Sequence, residues 1–127
     1  MDPSALEAFD REPYLSLATK RRDGRMVRTP VWFAASGGRL YVFSEAKAGK
    51  VKRLRNFPEL EVAACDVRGK VHGSFVPGRG RRVEDSATLL AANAALARKY
   101  GWKMAVANFF SRLTGRIDKR AMLEIEL

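Results

Sequence analysis

Two short connections near the start of the chain constrain the fold most. Tyr14 to Thr19 alternates apolar and small polar residues and reads as a strand. Arg22-Asp23-Gly24-Arg25 follows, with the Asp-Gly pair that a tight hairpin prefers, and Met26 to Ala35 reads as a second strand. Ser36-Gly37-Gly38 then turns the chain into a third strand at Leu40 to Phe43. Neither connection is long enough for a parallel crossover, so these strands are expected to form an antiparallel meander.

The rest of the chain continues in the same style. A short helix is predicted over Ser4 to Phe9 and another over Ala48 to Phe57, where Val51, Leu54 and Phe57 make one apolar stripe and Pro58 stops the helix. A fourth strand spans Leu60 to Asp66, with its turn at Arg68-Gly69-Lys70. A fifth spans Val71 to Val83, interrupted by Pro77-Gly78 and Gly80. Asp85 is placed to cap a helix ending at Tyr100 and Gly101, with Leu89, Leu90, Ala94, Leu96, Ala97 and Tyr100 as its apolar face. Trp102 to Leu113 reads as a further helix and Ala121 to Leu127 as the closing strand. Six mainly antiparallel strands with turn-rich connections suffice to curl into a small mainly-β barrel. Helices lie in some connections and not between every strand, which argues against a doubly wound sheet.

At 127 residues the chain is expected to be one domain, residues 1–127. No apolar run approaches the ~20 residues that cross a bilayer. The opening Met1-Asp2-Pro3-Ser4 lacks the basic and apolar regions of a signal peptide, so the expected setting is cytoplasmic and free of membrane. One cysteine, Cys65, excludes an internal disulfide. With one histidine, His72, it also leaves too few soft ligands for a structural zinc site, so no metal is expected.

Charge is the strongest compositional signal. The chain carries +10, and Lys20 to Arg55 holds eleven basic residues against two acids, nearly the whole surplus. Such a field implies an anionic partner: nucleic acid, a phosphorylated cofactor or an acidic surface, with a simply solvated basic face as the plain alternative. There is no Gly-x-Gly-x-x-Gly opening a helix, no Walker loop, no Ser-His-Asp or Cys-His arrangement and no evident acid pair. His72 reads as a surface residue and Cys65 as an inert packing thiol. Any catalysis therefore points to a bound cofactor.

Two segments are candidates for holding one. In Ala48-Gly49-Lys50-Val51-Lys52-Arg53 a glycine opens a helix whose free N–H groups favour an anion, Lys50 and Arg53 rise on one side, and Lys52 flanks them. The other reading is a basic amphipathic helix in water. In Arg28-Thr29-Pro30-Val31-Trp32-Phe33 a proline sits inside a strand, which places it at an edge or bulge beside two aromatic residues. The other reading is an irregular edge strand that carries a core Trp and Phe.

Together, Arg28 to Phe33, Leu40-Tyr41-Val42-Phe43-Ser44, Gly49 to Arg55 and Ala64-Cys65-Asp66-Val67-Arg68-Gly69 resemble the pyridoxamine-phosphate-oxidase-like split-barrel proteins. The nearest branch is the small flavin/deazaflavin oxidoreductases of actinobacteria that use coenzyme F420. The resemblance implies a six-stranded antiparallel split β-barrel, a homodimer with cofactor sites along the subunit interface, and an F420-dependent oxidoreductase acting on a small organic molecule. FMN or FAD, or a non-catalytic carrier role, are the alternatives. It implies that Thr29, Pro30, Val31 and Trp32 line the ring of the cofactor, with Arg28 among the cofactor-binding residues, and that Lys50 and Lys52, with Arg53 nearby, hold its phosphate. Ser44 ends the strand that leads into that helix. Coenzyme F420, with its phosphodiester and acidic tail, suits the basic stretch. Lys20, Arg21 and Arg22 would meet the tail if the first hairpin lies beside the site. Asn56-Phe57-Pro58 departs from the family pattern by one position. Ser86 to Gly115 is longer than in the smallest members and is expected over the substrate side. A nucleic-acid-binding barrel, with Tyr14, Trp32 and Phe33 interleaved among the cations, is the rival reading.

Overall fold

The structure is a computed structural model and describes residues 3–45, 47–101 and 120–127. Its elements are α1 (Pro3–Asp10), β1 (Tyr14–Lys20), β2 (Met26–Val31), β3 (Phe33–Ser36), β4 (Arg39–Glu45), α2 (Gly49–Asn56), β5 (Glu59–Cys65), β6 (Val76–Val83), α3 (Ser86–Tyr100) and β7 (Arg120–Glu126). The predicted helix over Trp102 to Leu113 lies outside the described residues, as does the predicted end of the Ser86 to Gly115 segment.

All strands form one sheet of order β2-β1-β5-β6-β7-β4-β3, and every pairing is antiparallel. The expected second strand, Met26 to Ala35, is broken at Trp32, and its halves lie at opposite ends of the sheet. One residue joins the two edges, so the sheet must curl back on itself. It is closed by the chain and not by a hydrogen-bonded ladder, which makes it an open, split barrel of six sequence strands. Proline 30 falls on the terminal strand β2, where a missing N–H is tolerated.

The expected fifth strand starts later than its apolar residues suggest. Val71 makes a single bridge to Cys65, and regular pairing begins at Val76. Gly73 at the centre of this stretch has little strand preference. The apolar face of α3 agrees with expectation at Leu89, Leu96 and Tyr100, which pack on the sheet, and differs at the other three positions. Ala92, Ala95 and Leu96 are buried, whereas Leu90 is 74% exposed and Ala94 and Ala97 face solvent. Asp85 does cap this helix, accepting from the Thr88 N–H at 2.9 Å.

Two apolar clusters flank the sheet. The inner one joins Leu15 and Leu17 of β1, Val31, Phe33, Leu40, Val42, Leu60, Val62, Leu123 and Ile125 to Val51 and Leu54 of α2. The outer one packs Ala34, Tyr41, Val83 and Met122 under Ala92, Ala95 and Leu96 of α3. With both faces covered, β1 is buried on nearly every residue.

Helix α2 enters the inner cluster because β6 carries glycines where it approaches. A Cβ on Gly80 would lie 2.7 Å from Leu60 Cδ2 and 3.1 Å from Leu54 Cδ1. Gly80→Val should therefore lower stability by about 1–3 kcal/mol through overpacking, despite the better strand preference of valine. Urea unfolding checks this, and an unchanged midpoint would show that α2 packs elsewhere.

Candidate functional site

Helix α2 opens at Gly49 behind Ala48, which makes no side-chain cap, and its first turn has no acidic residue. The Val51 N–H bends back to the Ala48 carbonyl at 3.1 Å, so the N–H groups of Gly49 and Lys50 are the ones open to an outside acceptor. Arg53, one turn on, folds back over this end. Its Nε donates to Thr19 Oγ1 at 2.6 Å, and its Nη1 lies where a Cβ on Gly49 would stand 2.6 Å away. Glycine at 49 thus leaves room for a guanidinium beside the helix start. Thr19 is fully buried at the end of β1, so its hydroxyl fixes the guanidinium in place.

Lys50 is half-buried on the same flank. Burial and the nearby Arg53 hold its pKa below the ordinary lysine value, partly opposed by Glu45. The pKa of Arg53 is lowered by burial and by Arg21. Among the described residues, no carboxylate comes within 4.0 Å of Lys50, Arg53 or Arg21. Lys50 and Arg53 thus stand together at a helix start that has no side-chain cap, with Arg21 near enough to act on Arg53 and Glu45 as the nearby acid that acts on Lys50. Lys52 is exposed on the other side of the helix, so the expected trio resolves into Lys50 and Arg53 together with Lys52 apart.

The first hairpin does lie beside this cluster. Arg21 acts electrostatically on Arg53, and the Lys20 ammonium sits 5.6 Å from the Phe57 ring centroid at the end of α2. The sequence places Arg21 toward the tail of a cofactor and does not single out Thr19. A β1 strand that ends in a buried hydroxyl followed by three cations was the available signal.

The 28–32 segment divides by strand alternation. Thr29 and Val31 pair with Leu17 and Leu15 and share their inner face, one step along the strand from Thr19. Arg28 and Pro30 face the other way and are exposed. The Arg28 guanidinium stands 4.4 Å from the Phe75 ring centroid. Trp32, in the break, turns to the outer cluster. It stacks on Tyr100 at 4.6 Å and meets Phe43 edge-on at 6.0 Å. The Tyr100 hydroxyl accepts from the Phe33 N–H at 2.9 Å and lies 3.0 Å from the carbonyls of Pro13 and Phe33, so it satisfies backbone groups freed by the break. This burial pushes the Tyr100 pKa up to about 12. Ser44 is buried and its Oγ donates to the Glu45 carbonyl at 3.3 Å, just ahead of α2. Phe33 is fully buried and Trp32 is stacked internally, so two of the three rings that would favour a nucleic-acid reading are engaged within the protein.

The Lys50 shift has a consequence for stability. Between its lowered folded value and 10.5 the unfolded chain binds more protons, so stability rises with pH across that window. Below it, the charged ammonium carries its full cost. Lys50→Gln should therefore melt higher than the parent at neutral pH without ligand, with the gap narrowing at strongly alkaline pH. Inorganic phosphate should raise the parent's melting temperature more than the variant's. A variant that melts lower at neutral pH would show that Lys50 is already neutralised.

The chain belongs to the pyridoxamine 5'-phosphate oxidase family, whose sequence profile matches residues 1–127. Comparison with curated proteins finds no match. Among solved structures, it is similar to the conserved hypothetical protein Rv2991 of Mycobacterium tuberculosis, with TM-score 0.71 and 20% identity over 98% of this chain and 79% of that one. It is also similar to the heme storage protein HutZ of Vibrio cholerae, with TM-score 0.69 and 13% identity over 98% and 88%. A third is an FAD-binding protein of Mesorhizobium loti, with TM-score 0.65 and 19% identity over 100% and 88%. At these identities the shared property is the fold, an antiparallel split barrel used by both cofactor-binding and storage proteins. Among the described residues, no helix is long and apolar enough to cross a membrane.

Proposed function

We propose that this chain binds a phosphate-bearing cofactor of the flavin class and serves as an oxidoreductase on a small organic molecule. One observation carries this reading: Lys50 and Arg53 flank the start of α2, which has no side-chain cap, and among the described residues neither has a carboxylate within 4.0 Å, while Arg21 acts electrostatically on Arg53 from the first hairpin. A phosphate there receives N–H groups, the positive end of the helix dipole and two guanidinium forks. The fit is chemical as well as electrostatic, because partly desolvated cations gain most from an anion. When bound, such a cofactor supplies two-electron transfer chemistry.

The protein's own part is to bind and orient. Lys50 and Arg53 hold the phosphate, Thr19 fixes Arg53, and Thr29 and Val31 border the inner face one step along the strand. Tyr100 steadies the strand break through Phe33. The homodimer that the family resemblance implies would complete the site along the subunit interface. FMN or FAD is the first reading, in line with the FAD-binding relative. The second is coenzyme F420, favoured by the placement of Arg21 beside Arg53, where a hairpin rich in cations meets the phosphate site.

Parallel titrations with FMN, FAD and coenzyme F420, each at low and high salt, test this. Binding of FMN or FAD supports the first reading. Tighter F420 binding with a steeper salt dependence supports the second. No binding of any of the three refutes both. Reduced cofactor mixed with enones or quinones then separates an enzyme, which oxidises it, from a carrier, which does not.

A further inference from the structure

We propose that the groove between α2 and β6 is a second ligand site, which takes a small organic carboxylate with an apolar tail. The groove encloses about 390 Å³, within the range of small-molecule sites. Val51 and Leu54 of the inner cluster and Pro58 give it an apolar lining. Arg55 comes from the helix wall and Arg82 from the strand wall. Among the described residues, neither has a carboxylate within 4.0 Å, whereas the neighbouring Arg81 is held by Glu124 at 3.0 Å. Glu84 is the acid at the rim.

The charges select an anion and the lining selects a tail. Guanidinium groups match the two oxygens of a carboxylate, and two of them on opposite walls let one head group tie the helix to the strand. The groove is distinct from the phosphate cluster. At 3.6 residues per turn, Arg55 projects about 160° around α2 from Arg53, with the buried Val51 and Leu54 between the two flanks on one side. Both sites can therefore be filled together, and the inference does not depend on the identity of the cofactor.

The experiment is a titration of the full chain with octanoate, followed by amide chemical shifts, with octanol and acetate as probes lacking the charge and the tail. Octanoate should give saturable shifts at Val51, Leu54 and Gly80 with a Kd of about 1 mM or tighter, and both comparison probes should bind about tenfold more weakly. The double variant Arg55→Gln/Arg82→Gln should weaken octanoate about tenfold. Glu84→Gln should tighten it, and Lys50→Gln should leave it unchanged. Shifts centred on Lys50 and Arg53, equal affinity for octanol, the absence of saturable shifts, or indifference to the arginine and Glu84 variants would each overturn the proposal. So would a change of oligomeric state on replacing Arg55 and Arg82, because a second copy would then occupy the groove.

Discussion

Reversing the charges of Lys50 and Arg53 together should weaken binding of a phosphate-bearing cofactor by at least about a hundredfold. Charge-assisted hydrogen bonds are worth about 1.5–3 kcal/mol each, and reversal adds repulsion to their loss. The two side chains stand on one flank of an uncapped helix start, and Arg53 is held there by the buried Thr19 hydroxyl. Lys52→Glu is the matched control. It changes charge by the same amount per residue but lies on the exposed side, so its effect should be small and abolished by salt. Titration calorimetry with FMN, FAD and coenzyme F420 reads the double reversal, Lys52→Glu and the single Lys50→Glu. Equal losses for Lys52→Glu and Lys50→Glu would mean a diffuse field and no site, and unchanged affinity in the double variant would end the phosphate assignment.

The largest effect on stability is expected at Phe33. It is fully buried, begins β3 directly after the strand break, and has the Lys99 ammonium 3.5 Å from its ring centroid. Lys99 is itself sunk in the structure. Burial lowers its pKa while Asp10, 3.4 Å away, raises it. Asp10 also accepts from the Ala35 N–H at 2.9 Å, so α1, β3 and α3 meet at this point. Phe33→Ala removes a core ring and leaves that ammonium over a void. The expected loss is about 3–5 kcal/mol, on the order of 10–20 °C in melting temperature for a chain of this length. Urea unfolding monitored by circular dichroism measures it. A loss near that of a surface substitution would show that the break is held by Tyr100 alone.

These two sites differ in how far they were legible beforehand. The helix start at Gly49, with Lys50 and Arg53 three apart, is written in eight consecutive residues, since helix capping and i, i+3 spacing are local properties. What completes the cluster is not local. Thr19 lies thirty-four positions from Arg53 and reaches it because β1 crosses beneath α2. Trp32 and Tyr100 are further apart still, and nothing in the Arg28 to Phe33 segment tells that its tryptophan will stack on the end of α3. The α3 face is only half legible for a related reason: Leu89, Leu96 and Tyr100 pack, but so do Ala92 and Ala95 in place of Leu90, Ala94 and Ala97. Alanine and leucine alternate around that helix so evenly that periodicity alone does not select the side that packs.

By itself, then, the sequence determined two antiparallel hairpins with turns at Asp23-Gly24 and Gly37-Gly38, the strand and helix order, and the basic start of α2. Each depends on residues within a turn or two of one another, where sterics and hydrogen bonding act directly on the chain. Tertiary structure alone decided that residues 26–36 would break at Trp32 and serve both edges of the sheet. It alone decided that Gly80 would admit α2 to the core and that Thr19 and Arg21 would stand beside Arg53. Those outcomes depend on which strands lie side by side when the sheet curls. That choice is made by burying two apolar clusters at once and not by any local preference.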